Sequence, residues 1–201
     1  MSKGLIITLS ILGGLLLVIF LTIGWGVGVY NKIVSADEGV KNGWSQVENQ
    51  YQRRYDLIPN LVETVKGYAK QEKDVLIGVT EARASVGQMK VTPEVLRDPQ
   101  AFQHFQQAQD GLGAALSRLM VIVEKYPDLK SNQNFLELQS QLEGTENRIA
   151  VERRRFNETV QEFNVMIRRF PASMIAGFGG FREAQYFKSI AGSEKAPQVK
   201  F

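Results

Sequence analysis

The side chains best able to do chemistry in this chain are Glu143 and Glu146, the single His104, three polar residues interrupting apolar stripes at Glu72, Gln109 and Glu152, and the arginine runs Arg53-Arg54, Arg153-Arg154-Arg155 and Arg168-Arg169. Glu143-x-x-Glu146 sets two carboxylates on adjacent turns of a helix. Carboxylate-bridged di-metal bundles use Glu-x-x-His instead, repeated on a second helix. Here His104 has Ala101 and Gln107 at three residues on either side, and no second motif occurs, so no metal site is expected. The chain has no Cys, which removes thiol nucleophiles, disulfides and cysteine-held zinc or iron–sulfur centres. One His leaves a Ser-His-Asp triad a single possible base. The sequence therefore predicts no catalytic residue, no cofactor and no enzyme.

Glu72, Gln109 and Glu152 point to structure. Each falls on a core-facing register near the middle of its stripe, so together they are expected to form one polar layer, with Arg54, Arg118 or Arg148 supplying positive charge. A polar layer fixes helix register and partner choice, and buried carboxylates need such partners. The alternative is that the stripes drift and these side chains reach solvent. Glu143, Glu146, Asn147 and Arg148 are expected to tie the preceding loop or a neighbour's arginines. Gly144 is read as a close backbone contact. The arginine runs have acidic neighbours, Glu152 and Glu158 beside the triple Arg, and the net charge of the 201 residues is only +3. Nucleic acid is therefore not an expected partner, whereas a run near a membrane fits anionic lipid.

The elements that must carry these groups are helices. Apolar residues recur in steps of three and four along Ile33, Val40, Trp44, Val47, Tyr51; along Ile58, Leu61, Val65, Tyr68, Val75, Val79, Ala82; along Phe102, Phe105, Leu112, Leu116, Leu119, Val123, Tyr126; and from Phe135 through Leu142, Ile149, Phe156 and Phe163 to Phe170. This beat calls for left-handed bundle packing, and no stretch holds a period of two. Asp37 is the exception in the first stripe. Thr92-Pro93 and Asp98-Pro99 read as caps, Ser131 or Asn132 as a third, and Tyr126-Pro127 and Phe170-Pro171 as helix ends.

Pro59 poses the topological question. A turn near Tyr55-Asp56-Leu57-Ile58 leaves segments 33–55, 59–86 and 99–126 of 23, 28 and 28 residues, matched partners for an antiparallel up-down four-helix bundle. The alternative is one long helix kinked at Pro59, about 84 Å over 33–88, whose first half would expose Val40, Trp44, Val47 and Tyr51 unless another chain covered them. The matched bundle is the expectation. The domains are then residues 1–31, 32–171 and 172–201, the last a tail of Gly177-Phe178-Gly179-Gly180-Phe181 and Tyr186-Phe187 expected to fold back on the bundle or a neighbour, with a loose end after about Ser193. Val40, Trp44, Val47, Tyr51, Phe178, Phe181, Tyr186 and Phe187 are candidate oligomer surfaces.

Ahead of the bundle, Gly4 to Asn31 gives 28 positions without a charged side chain. About 20 apolar residues cross a bilayer, and Trp25 and Tyr30 sit where rings favour the headgroup zone. With no Ala-x-Ala-like site, the segment reads as a retained single-pass anchor. Ser10, Gly14, Leu17, Leu21, Gly24 and Gly28 share one face, which suits self-association of the span. A short basic start followed by one apolar run leans towards an outside-facing bundle.

Several strings carry a family resemblance: Trp44-Ser45-Gln46-Val47, Arg53-Arg54-Tyr55-Asp56-Leu57-Ile58-Pro59-Asn60-Leu61-Val62, Thr64-Val65-Lys66-Gly67-Tyr68-Ala69, Tyr126-Pro127-Asp128-Leu129-Lys130 and Leu142-Glu143-Gly144-Thr145-Glu146-Asn147-Arg148-Ile149-Ala150. In these the chain resembles the LemA family of bacterial membrane-anchored helical proteins. The resemblance implies one N-terminal membrane helix, a bundle outside the cytoplasm of a bacterial cell, and no enzyme activity. One relative takes part in forming magnetosome membranes. The expected function is a non-catalytic scaffold, self-assembling as a homo-oligomer, that organises or shapes the bilayer. The alternative is an adaptor for another membrane protein, such as a protease or envelope-stress component.

Overall fold

The computed structural model describes residues 3–89 and 92–188, so the end of the expected tail domain lies outside the described residues. Among the described residues all regular structure is helical. The first helix, α1, runs unbroken over Lys3–Tyr68, 66 residues and roughly 100 Å at 1.5 Å per residue. From Ile7 to Ile23 its large apolar side chains are exposed, and this segment has the length and composition to cross a bilayer.

The expected turn at Tyr55-Asp56-Leu57-Ile58 does not occur, and the helix continues through Pro59. Proline lacks the N–H that would have bonded the Tyr55 carbonyl four residues back. Arg83 supplies a replacement donor: its Nε bonds the Tyr55 oxygen at 3.2 Å, and its guanidinium lies 3.7 Å from the centre of the Tyr55 ring. A neighbouring helix thus satisfies the acceptor that proline leaves free, and matched segment lengths do not decide the topology.

The chain instead turns after Tyr68 and enters α2 (Lys73–Gly87), which descends along the distal half of α1. A 3-10 turn (Pro93–Arg97) leads to α3 (Pro99–Val123), started by the Asp98 side chain accepting from the Gln100 and Ala101 amides; Thr92, the other expected cap, makes no such bond. The single turn α4 (Pro127–Lys130) and the Asn132 cap then open α5 (Gln133–Arg168), 36 residues long. Antiparallel pairing of α5 with α1 is fixed by Phe156 against Gly43, Glu146 against Arg54 and Asn132 against Tyr68. The short α6 (Ala172–Phe178) crosses to α1, and residues 181–188 turn back along α5 without forming a helix.

Two cores result. Beyond Arg54 the bundle is four-helical, α1, α2, α3 and α5, around Ile58, Leu61, Val65, Val79, Leu112, Leu119 and Phe135. Nearer the span α2 has ended, and the 3-10 turn, α6 and the tail share the fourth place around Ile33, Val47, Phe102, Phe156 and Phe163. Here the oligomer-surface expectation needs correcting. Val40, Trp44, Val47 and Tyr51 are buried within one chain, as is Phe187, because α3, α5 and the returning tail cover that half of α1. Trp44 lies 5.3–6.0 Å from the rings of Phe102, Phe105, Phe156 and Phe187.

Candidate functional site

Three buried polar arrangements occupy the bundle, and each joins elements distant in sequence. At the waist between the two cores, Arg54 on α1 is only 4% exposed at its side chain. Its Nη1 donates to Glu146 of α5 at 2.9 Å, and its Nη2 donates to the Gln109 side-chain oxygen of α3 and, at 3.3 Å, to the Gln109 carbonyl. One guanidinium thereby ties three helices, the bidentate use for which its flat fork is suited. A cleft of about 770 Å³ opens beside it, bordered by Tyr51, Asp110 and Arg153. The Tyr51 hydroxyl and Arg54 Nε are buried with no hydrogen-bond partner among the described residues. Burial pushes the Tyr51 phenol up to about 12, against a partial downward pull from Arg153 and Arg54, so it stays protonated near neutral pH.

Nearer the membrane, Asp37 of α1 is buried and accepts from Arg97 of the 3-10 turn, with Lys41 at 3.2 Å. Hydrogen bonds to Glu38 and Asp37 hold the Lys41 ammonium above its ordinary pKa. This pair pins the loop after α2 against α1.

The tail is held by the third arrangement. The Asn164 side chain both donates to the Ala184 carbonyl and accepts from its amide, each at 2.9 Å, and Asn157 does the same for Phe187, also at 2.9 Å. Gln106 repeats the pattern on Lys188 at 2.7 and 3.2 Å. Asn157 and Asn164, two turns apart, are separated by about 10 Å along the helix axis. Three residues of extended chain cover about the same distance, so Ala184 and Phe187 meet them in register. A segment without a sheet leaves its amides and carbonyls to be satisfied by something else, and these side chains do so. Phe187 then enters the aromatic core under Arg153, whose guanidinium lies 4.5 Å from the ring centre.

The expected polar layer of Glu72, Gln109 and Glu152 is not assembled. Gln109 is buried on Arg54 as described. Glu72 lies past the end of α1, where it accepts from the Tyr126 hydroxyl, and Glu152 pairs with Arg155 one turn along its own helix. Tyr68, which precedes the Glu72 turn, is already about 21 Å along the axis from Arg54. Equal position within a stripe did not mean equal height once α2 proved shorter than expected. Nor does another backbone approach Gly144: the space is filled by Arg148, which reaches back to the Gly144 carbonyl at 3.2 Å.

His104 is exposed, and among the described residues no cluster of His, Asp and Glu is placed to hold a metal. Ser10, Gly14, Leu17, Leu21, Gly24 and Gly28 all lie exposed on the apolar part of α1. Of the tail aromatics, Phe181 is half-buried against Tyr30, Tyr186 is exposed, and Phe178 is 91% exposed. Residue spacing did not reveal Asp37–Arg97 or the gripping amides. Asp37 as a flaw in its stripe, and Asn157 and Asn164 seven residues apart, were the signals available.

A helix that continues from an apolar segment long enough to cross a bilayer into a packed up-down bundle is the arrangement of a membrane-anchored helical protein, with one candidate span among the described residues. A family model, "LemA family", matches residues 43–201, and the chain belongs to the LemA family. It is similar to the magnetosome protein MamQ of Magnetospirillum gryphiswaldense, 31% identical over 174 residues, 79% of this chain and 64% of that protein. MamQ 2 of Paramagnetospirillum magneticum is 29% identical over 175 residues with the same coverage, and protein LemA of Metamycoplasma hominis is 24% identical over 150 residues, 75% of this chain. The chain thus spans 64% of the length of each of these relatives.

Proposed function

We propose that the protein is a non-catalytic scaffold that assembles in the bilayer and transmits the orientation of its span to a rigid external bundle. The observation that carries this reading is the uninterrupted α1: no joint separates the apolar segment from Ile33, Val40 and Val47 in the core. A helix that continues through both regions moves as a lever, so pairing of spans would fix the relative placement of bundles. The lipid-facing stripe from Ser10 to Gly28 suits close approach of a second copy. Similarity to magnetosome proteins supports a role at a membrane, and on this reading the bundle lies on the extracytoplasmic side, because a short basic start precedes one long apolar run. Mass determination of the full chain in detergent tests assembly. A homo-oligomer that dissociates on Gly14→Leu and Gly24→Leu is expected, and a monomer at all concentrations overturns the scaffold.

One observation favours an adaptor instead. The hydrogen bonds that grip the tail, from Asn157, Asn164 and Gln106, all go to its backbone, contacts that another extended segment with a ring in the Phe187 position could also make. A monomer whose tail is displaced by a partner's peptide would support that reading.

A further inference from the structure

The most exposed large apolar side chain among the described residues is Phe178, at 91%, and it does not stand alone. Met174, one turn earlier on α6, is 57% exposed, and Phe170 at the elbow between α5 and α6 is 80% exposed. The opposite side of α6 is conventional: Ala176 is buried and Ile175 packs against the proximal core. A seven-residue helix with one face in a core and large apolar groups on the other needs a second apolar environment.

Its height in the molecule identifies that environment. The Phe181 ring, just past α6, meets Tyr30 of α1 with centroids 5.8 Å apart, and a Cβ on Gly179 would lie 3.2 Å from the Tyr30 ring. Tyr30 closes the uncharged run that ends at Asn31, so α6 is fixed beside the span where it leaves the hydrocarbon. The antiparallel register of α1 and α5 brings Arg168 and Arg169 to the level of Lys32, and all three are exposed. Aromatic and thioether groups flanked by cations form the pattern of an interfacial helix: rings among the upper acyl chains, charges among phosphates.

We infer that α6 is an interfacial foot, with Phe170, Met174 and Phe178 inserted into the same bilayer leaflet boundary that α1 crosses and with Lys32, Arg168 and Arg169 on anionic headgroups. This deepens the scaffold reading and rests on α1 spanning the membrane. The foot sets the bundle's tilt and wedges one leaflet beside every span, a means by which an assembly of copies bends a bilayer.

The chain has no Cys, so single cysteines can carry a fluorophore. Gly177 is exposed on α6 and a Cβ there meets nothing within 4 Å, so Gly177→Cys keeps all three apolar groups. The full chain, labelled there and reconstituted in phosphatidylcholine–phosphatidylglycerol vesicles, is expected to be quenched several-fold more by lipids bearing a shallow nitroxide than the same chain labelled at Val121→Cys, and several-fold less by aqueous iodide. Met174→Asp with Phe178→Asp should reverse both differences. Iodide quenching at Gly177→Cys equal to that at Val121→Cys overturns the foot. Shielding from both quenchers also overturns it, because protein then covers the face. A label at Ile19→Cys that escapes deep nitroxides overturns the span itself, separating that failure from failure of the foot.

Discussion

The distal half of the bundle is closed by four helices and filled mainly with Leu, Ile and Val, whereas the proximal half has three helices, an irregular fourth wall and a core of rings. The difference follows from where α2 stops. At Gly87 an added Cβ would strike the Tyr55 hydroxyl at 2.8 Å, and beyond that point no long helix occupies the fourth side, which the 3-10 turn, the short α6 and the tail share. Regular helices satisfy their own backbones, so apart from the Tyr55 carbonyl that Arg83 covers, the distal half needs mainly apolar volume. An extended tail cannot do this, so the proximal half adds side-chain amides on the backbone and large flat groups to fill the uneven space. The half nearest the membrane therefore depends on one short strap, and the far half does not.

Deleting residues 182–201 should separate the halves most sharply. It removes Phe187 from contact with Trp44, Phe102 and Phe156, a loss comparable to a buried Phe→Ala change of about 3–5 kcal/mol. Hydrogen exchange should quicken in α1 around Val40 and Val47 and in the first turns of α3, while α2 keeps its protection. Equal acceleration in both halves would erase the distinction.

Arg54→Leu strikes the waist that joins them. It strands the buried Gln109 oxygen, a cost of about 1–3 kcal/mol in thermal melts, and the pair Arg54→Leu with Gln109→Leu should recover part of it. Full additivity of the two substitutions would show that the contact is not coupled.

A smaller effect tests the route through Pro59. Arg83→Ala should cost about 1 kcal/mol, because the Tyr55 carbonyl loses its donor. In a Pro59→Ala background, where residue 59 recovers its own N–H, the same change should cost less. An equal cost in both backgrounds would assign Arg83 to packing alone.

Tyr51→Phe is expected to be nearly silent at neutral pH, since the buried hydroxyl has no partner among the described residues to lose. Its effect belongs to alkaline solution. Below pH 10 the phenol is protonated whether the chain is folded or not. Between pH 10 and about 12 the unfolded chain releases the proton while the fold retains it, so stability falls over that window. The Phe variant should lack this component of the slope in melts recorded against pH.

Most of the core was readable from spacing. Phe102, Phe105, Leu112, Leu116 and Leu119 on α3 are all buried as their beat requires, and so are Phe156, Val160, Phe163 and Ile167 on α5. Phe170 continues the same beat yet is 80% exposed, because the helix ends two residues earlier at Arg168. The candidate site was less legible. Gln109 was recognised as a polar core position and Arg54 as a possible source of charge, but Glu72 lies at another height, Glu152 turns to Arg155 on its own helix, and the stripe assigned to a neighbouring copy proved to be this chain's own core.

By itself the sequence determined the rods: their helical character, the faces they bury and the segment that belongs in lipid. These follow from local periodicity and transfer free energy, which neighbouring residues settle among themselves. Only the tertiary structure decided that the chain passes Pro59, that α2 stops short and that the tail fills the gap. The donor that permits the first comes from Arg83, 28 residues away, and the groups that seat the tail lie 20 to 82 residues from their partners. Such pairings depend on the path of the whole chain, and the spacing of residues along one helix does not encode them.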